Sequence, residues 1–584
     1  MRSRSTRRRP KPARDGGLTV TETPWIESYP SPARWDAPLA LGPVYEILDT
    51  AAERFGERPA VEFMGKRATY RELHALANRA AKGFQQLGVR PGVHVGLYLP
   101  NTPHYLVAFF GVLKAGGTVV NYSPLDAAHV LAHKIEDSET SILVTLDLPM
   151  LLPQIEPLLG TGKFLTLVAG GLEDLALFPG FEGPHDDLAP STVGRIPFRA
   201  LLANDGAYES PPFGDPAQTL AVLQYTGGTT GLPKGAMLTH GNLTAATSQY
   251  IETTRVEPPV LAPGEERMLL VLPLFHIYSL TSCMLLAIRL GAEIVLHARF
   301  EVEAVAKDLA AKKITLFMGV PTMFTALLAY PGLGELDLTS IKFTGSGGAP
   351  LPLEVQERFK AVTGSELNEG WGMTETSPAG TFTPMRGPRK AGSCGIPVPG
   401  VMLKLASVED PARYVPLGER GEICIKGPNV MQGYWKNQQA TREVTTADGY
   451  LRTGDVAYMD EDGFVFIVDR IKDMLLCGGY NVYPRTIEEA IYTHPGVAEV
   501  CVIGIPDEYR GQSPKAHIVL KSGASPFTAD ELKEFLKDRL GKHEMVQVVE
   551  FREALPKSPV GKILKNALYE EEARRRAATE TAQV

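Results

Sequence analysis

Tyr225-Thr-Gly-Gly-Thr-Thr-Gly-Leu-Pro-Lys-Gly235 is built to hold a polyphosphate, and its flanks decide the fold around it. Glycines and threonines at this density let backbone N–H groups and hydroxyls approach phosphate oxygens, and Lys234 adds a positive charge near the end of the run. A Walker-type loop needs Gly-Lys followed by Ser or Thr and opens directly into a helix. Here Pro233 precedes the lysine and Gly235 follows it. The flanks Thr219-Leu-Ala-Val-Leu-Gln-Tyr225 and Ala236-Met-Leu-Thr-His240 both read as strands, so the run is a glycine loop between strands. A hairpin with no ligand would also use Gly and Thr, but the lysine and the density of donors favour phosphate.

Outward from the loop, strands and helices alternate. Thr69 and Glu72 form a capping box, and Leu73, Leu76, Ala77, Ala80, Phe84 and Leu87 give the helix an apolar stripe that ends at Gly88. Val93–Leu99 reads as a strand, Pro103–Ala115 as a helix and Thr118–Tyr122 as a strand. The pattern resumes at Ala292–His297, Glu301–Lys312 and Thr315–Gly319, which implies parallel sheets covered by helices. Residues 150–215 are rich in Gly, Pro and Asp with little periodicity and read as a long surface excursion. From about 394 to 470 the strands are short, with an Asp462-Gly463 turn between Val456–Met459 and Phe464–Val468, so this is a β-rich subdomain. An α+β unit follows Arg470: a helix after Pro484, strands at Glu499–Ile505 and Ala516–Lys521, and a helix capped by Thr528 with Glu531.

Composition sets the class. A chain of 584 residues needs two to four cores. Apolar content of 44% and charged content of 22% are those of a globular protein, and a net charge of −8 gives no reason to expect nucleic acid. The five cysteines are scattered without a CxxC pair, as in a reducing cytoplasm. Residues 1–17 carry seven cations against Asp15 and lack an apolar h-region, which reads as a disordered basic tail and not a secretory signal. Met268–Ile288 has no formal charge outside His276, yet Pro273 interrupts it. A strand at Met268–Leu272, a loop and a helix from near Ser279 fit it better than a membrane span.

Six motifs in order carry a resemblance: Thr226–Gly235, Gly345-Ser-Gly-Gly-Ala-Pro350, Glu369-Gly-Trp-Gly-Met-Thr-Glu375, Tyr450-Leu-Arg-Thr-Gly-Asp455, Asp469-Arg-Ile-Lys-Asp473 and Pro556-Lys-Ser-Pro-Val-Gly-Lys562. Together they resemble the adenylate-forming superfamily of acyl-CoA synthetases, luciferases and peptide-synthetase adenylation domains, over nearly everything after residue 25. The resemblance implies an α/β multidomain fold. A large N-terminal domain (26–471) would hold two helix-covered α/β sheets and a distorted β-barrel (394–470). A small mobile α+β lid (472–584) would follow the basic tail (1–25).

The implied reaction is ATP-dependent: a carboxylic acid becomes an acyl-adenylate, pyrophosphate leaves, and the acyl group passes to the CoA thiol. The resemblance assigns ATP to Thr226, Gly227, Gly228, Thr229, Thr230, Gly231 and Lys234 around the phosphates, with Thr374 on the α-phosphate. Gly348, Ala349, Pro350, Glu369, Gly370 and Trp371 would wall the adenine, Trp371 standing where many relatives carry Tyr. Asp455, helped by Arg470, would take the ribose hydroxyls, since a carboxylate offers two acceptor oxygens. Mg²⁺ would be held by Glu375 and Thr226, Lys562 would bridge the carboxylate and α-phosphate, and Lys472 would be the hinge. Gly478 and Gly479 would let pantetheine pass close to the backbone.

For the acid, the resemblance points to His276, Val320 and Gly345. Leu274-Phe-His-Ile-Tyr278 has no Asp to pair an amino group, and Phe275, Ile277, Leu280 and Val320–Phe324 are apolar, which favours a medium- or long-chain fatty acid. The alternatives are a dicarboxylate or aryl acid, acyl transfer to a carrier protein, and a non-catalytic nucleotide-binding protein. No carrier domain follows the lid, and Glu375, Asp455 and Lys562 are all retained, which argues for catalysis with free CoA. Expected partners are therefore fatty acid, ATP and CoA in the cytoplasm, with peripheral membrane contact and a homodimer both compatible with the chain.

Overall fold

The computed structural model describes residues 23–172, 174, 194–226, 233–558 and 561–582. The basic tail up to Glu22 and most of the phosphate loop lie outside these residues. Two seven-stranded sheets share one plan. The first runs, in spatial order, Arg195–Pro197, Thr166–Gly170, Ile142–Leu146, His94–Leu97, Thr118–Asn121, Leu220–Thr226 and Lys234–Thr239. All its pairings are parallel except the last, which is the hairpin carrying the phosphate loop. The second runs Leu367–Glu369, Phe343–Ser346, Leu316–Gly319, Arg267–Leu270, Glu293–Leu296, Pro59–Phe63 and Lys66–Thr69, again with one antiparallel pair at its end. Strands such as Leu316–Gly319 and Glu293–Leu296 are buried along their whole length, as sheets covered on both faces require.

The local signals hold. Thr69 accepts the Glu72 amide while Glu72 reaches back to Thr69, and the helix Tyr70–Gln86 buries the expected stripe. A second reciprocal box, Thr528 with Glu531, opens the helix Ala529–Leu536. The reading of 150–215 as a surface excursion is wrong in part. Thr166–Gly170 and Arg195–Pro197 extend the first sheet in parallel register, and Leu167, Val168 and Phe198 are fully buried. An edge strand of three residues and a neighbour of five give too short a pattern to read among so many Gly and Pro. The uncharged run also differs slightly: its helix begins at Ile277, capped by His276, and passes through a π-helical turn, Leu280–Leu285. Among the described residues no helix is long and apolar enough to cross a membrane.

Where the resemblance implies a barrel, Met402–Ala406, Gly421–Lys426, Leu451–Met459 and Val465–Arg470 form a four-stranded antiparallel sheet, with the ribbon Thr381–Phe382 and Ile396–Pro397 as a separate pair. One continuous apolar core runs from Trp25 to Val465, and a second, from Leu475 to Val546, is separate from it. The second core belongs to a five-stranded sheet built on Gly511–Leu520, which pairs with Val497–Asp507 in a long hairpin, covered by the helices Pro484–Tyr492 and Ala529–Leu536. Polar contacts join the two units. Asp469 accepts the Arg485 amide at 2.9 Å, Thr322 Oγ1 donates to the Gly561 carbonyl at 2.9 Å, and Lys521 pairs with Glu354 at 3.1 Å.

Candidate active site

A cavity of about 930 Å³ lies where the two units meet the ends of both sheets. It brings together Thr226, Lys234, His276, Gly345, Gly348, Ala349, Pro350, Glu369, Gly370, Trp371, Thr374, Glu375, Asp455, Arg470, Lys472 and Lys562. Val320 is the exception. It is buried behind the wall, its side chain lying 3.7 Å from where a Cβ on Gly348 would stand. As the first residue after a parallel strand, it turns its side chain under the glycine loop and not into the cavity. Gly227, Gly228, Thr229, Thr230 and Gly231 lie outside the described residues, but both ends of their loop are placed. Thr226 pairs with Lys234 across the hairpin, and the Tyr225 hydroxyl tethers its base to Asp137 at 2.5 Å.

The segment Gly433–Trp435 runs beside the second strand of that hairpin, with the Met237 amide bonded to Gly433 and the Trp435 amide to Gly235. This places the Tyr434 ring 5.2 Å from the Lys234 ammonium, and the Tyr434 hydroxyl donates to Glu375 Oε1 at 2.7 Å. Glu375 stands in a tight turn, Thr374–Thr376, 6% exposed. Burial raises its carboxyl above the usual range against the Tyr434 hydrogen bond. A carboxylate this deep, with a neutral donor on one oxygen, fits a hard divalent cation that shares its remaining positions with phosphate oxygens. The other group of metal-ligand types among the described residues, His517, Glu550 and Glu572, is already neutralised, because Lys515 and Arg575 each pair with both glutamates.

The end expected to take the nucleoside is tightly tied. Trp371 follows the strand Leu367–Glu369, and its indole N–H donates to Asp455 Oδ2 at 2.8 Å. Arg470, directly opposite Asp455 in the hairpin register, donates to the other oxygen at 2.9 Å. Glu369 is buried, accepts the Leu351 amide at 3.2 Å, and lies 4.0 Å from the Arg485 guanidinium. Burial pushes its carboxyl up to about 7, with Arg485 opposing.

Lys562 enters from the second unit. Its turn is closed by Ser558, which bonds both the Lys562 amide and carbonyl, and its ammonium comes within 4.0 Å of a Cβ position on Gly348. Burial, and then Arg470, bring its pKa down to about 8. His276 is pushed down to about 3 by burial and by Lys562, so the ring is neutral. Because its Nδ1 accepts the Tyr278 amide at 3.3 Å, the proton sits on Nε2. Away from these groups, the wall is built by Tyr250, Leu261, Ser282, Leu286, Phe343 and Met385, none of which carries a formal charge.

Sequence reasoning did not single out Tyr434 or Arg485, since each acts through a contact distant in the chain. Gly478 and Gly479, at φ +61° and +83°, close the hairpin Leu475–Cys477 and Tyr480–Val482, a turn that favours glycine.

The model of the AMP-binding enzymes matches residues 48–435, and that of the AMP-binding enzyme C-terminal domain matches 486–562. A long-chain-fatty-acid–CoA ligase of Bacillus subtilis (strain 168) is 39% identical over 561 residues, covering 94% of this chain and 98% of its own. A protein of the same name from Salmonella typhimurium (strain LT2) is 38% identical over 570 residues, with coverage of 94% and 98%. The crystal structure of the anthranilate CoA ligase AuaEII in complex with anthranoyl-AMP superimposes with a TM-score of 0.80 at 26% identity, covering 94% of this chain and 99% of that one.

Proposed function

The chain belongs to the AMP-binding enzymes, and from that premise we propose that it is an ATP-dependent long-chain fatty-acid–CoA ligase. The observation that carries this reading is that the cavity joins a charged end, where Lys234, Arg470 and Lys562 stand with Glu375 and Asp455, to a stretch of uncharged wall. A dicarboxylate would need a cation for its second charge, and none stands among Tyr250, Leu261, Ser282, Leu286, Phe343 and Met385.

The acid's carboxylate oxygen attacks the α-phosphorus of ATP. The bond to the bridging oxygen breaks, and pyrophosphate leaves with that electron pair. Both reactants are anions, so fixed positive charge must offset their repulsion and the charge moving to the leaving group. In this reading Lys234 serves the β- and γ-phosphates, Thr374 the α-phosphate, and Lys562 the carboxylate and α-phosphate oxygens on either side of the new O–P bond. Asp455 accepts the ribose hydroxyls, and Trp371 with the Gly348–Pro350 loop walls the base. Glu375 and Thr226 would hold Mg²⁺, which supplies charge neutralisation at the phosphates. His276 Nε2–H donates to the acid's second oxygen. The CoA thiol, having lost its proton, then attacks the acyl carbon, and AMP leaves as the thioester forms.

The two half-reactions need different surroundings at one carbonyl, and we place the pivot at Lys472, with 26–471 as the adenylating domain and 472–584 as the lid. Lys472 lies in the short turn Ile471–Asp473 between the separate cores, which supports that division. The enzyme would work in the cytoplasm and touch membranes only peripherally, where long acyl chains partition. Co-sedimentation with vesicles tests that contact. The reaction itself is tested by measuring pyrophosphate release across C4 to C18 mono-acids, diacids and aryl acids, with and without CoA. Release confined to diacids or to aryl acids would overturn the substrate assignment.

A further inference from the structure

Trp371 makes more contacts than an adenine wall requires. Its amide donates to Thr381 Oγ1 at 3.1 Å and its carbonyl accepts the Thr381 amide at 2.8 Å, so the backbone is pegged on both sides. A Cβ on Gly380 would lie 2.5 Å from the six-membered edge of the indole, which confines the ring to one orientation. In that orientation Nε1 meets Asp455, 84 residues away in the chain, at 2.8 Å.

Asp455 is 4% exposed, and Trp371 and Arg470 each occupy one of its oxygens. A carboxylate has about four lone-pair directions, so two remain for a ligand on the cavity side. An Asp held by Arg470 alone could rotate about its χ2, a broad torsion, and exchange its oxygens against the guanidinium. A second fixed donor removes that freedom. Both free lone pairs then point one way, and a vicinal diol is the ligand with two donors at matching spacing.

We propose that Trp371 is a positioning residue for sugar recognition: by holding the Asp455 carboxylate, its indole N–H makes the site select nucleotides that carry both ribose hydroxyls. The inference rests on the ligase reading above, and it concerns which nucleotide is accepted. A site built to pair a hydroxyl discriminates strongly against the analogue lacking it, because a buried acceptor is left unmatched.

The test compares ATP, 2′-deoxy-ATP and 3′-deoxy-ATP in pyrophosphate release by the wild-type protein and by Trp371→Phe, which keeps an aromatic face and removes the donor. The wild type should favour ATP over either deoxy analogue. In the variant KM for ATP should rise roughly tenfold with a smaller change in kcat, while KM for the deoxy analogues changes little, so the preference falls roughly tenfold. Added to Asp455→Ala, the same substitution should have no further effect on the ratio. If Trp371→Phe melts early, Trp371→Tyr replaces it, since its hydroxyl leaves the ring at a different point from the indole nitrogen. An active variant with unchanged nucleotide preference would overturn the inference. A wild-type protein that releases no pyrophosphate with any acid would instead overturn the ligase reading, and this inference with it.

Discussion

The Tyr434 hydroxyl donates to the Glu375 carboxylate at 2.7 Å, while the face of the same ring lies 5.2 Å from the Lys234 ammonium. One side chain thus ties the residue proposed to hold Mg²⁺ to the lysine proposed to hold phosphate. A hydrogen bond to a charged group contributes about 1.5–3 kcal/mol. Tyr434→Phe should therefore raise the Mg²⁺ concentration for half-maximal pyrophosphate release by roughly tenfold or more, with little change in melting temperature. A Mg²⁺ titration at fixed ATP checks this. An unchanged requirement would reduce Tyr434 to packing.

Lys562→Ala should abolish acyl-adenylate formation, a loss of roughly 10²–10³ in rate, as expected for removing one preorganised donor at developing charge. Thioester formation from supplied acyl-adenylate should largely survive. Equal loss in both half-reactions would show that Lys562 is not specific to adenylation.

The pH dependence of the first half-reaction follows from the same residue. Burial and Arg470 lower the Lys562 pKa to about 8, so the neutral amine gains population as pH rises through that value. The kcat/KM for adenylation, which reports the free enzyme, should fall on that alkaline side. Lys562→Arg stays charged and should shift the falling limb upward, at lower absolute activity. A limb at the same pH in the arginine variant would assign the titration elsewhere.

Activity should climb with alkyl length until the uncharged wall is covered, since each buried CH₂ contributes about 0.8 kcal/mol, near fourfold in binding. Competition between acids of C4 to C18 measures it. A flat profile would contradict the fatty-acid assignment.

Lys472→Pro should leave a single burst of pyrophosphate and sharply reduce thioester turnover, because it fixes φ in the turn Ile471–Asp473. Retained ATP binding and a normal melting curve are the controls. Wild-type thioester turnover in a folded variant would exclude rotation at this residue.

The sequence was legible where the cause is local. The Thr69–Glu72 and Thr528–Glu531 boxes span three residues each, and both are present. The phosphate-loop hairpin was readable because its two strands flank the loop directly. What could not be read depends on chain distance. Tyr434 reaches Lys234 across 200 residues, Arg485 reaches Glu369 across 116, and no periodicity in either segment encodes the meeting. The edge strand Arg195–Pro197 and its neighbour Thr166–Gly170 are held by register with adjacent strands more than by their own pattern. His276 shows a middle case: its residue type pointed to the site, but its tautomer depends on the helix it caps.

The Arg485 amide near the start of the helix Pro484–Tyr492 is satisfied by Asp469, a residue on the far side of the turn that contains Lys472. A rotation that separates them strips a helix of its acceptor. Losing such a cap costs about 0.5–2 kcal/mol, a factor of roughly 2 to 30 in population. Under the rotation proposed at Lys472, this contact would weight the resting enzyme toward the arrangement with Lys562 inside, before any nucleotide arrives. CoA would then draw on its own binding energy to reverse that weighting, so saturating thiol should be felt as weaker apparent nucleotide affinity.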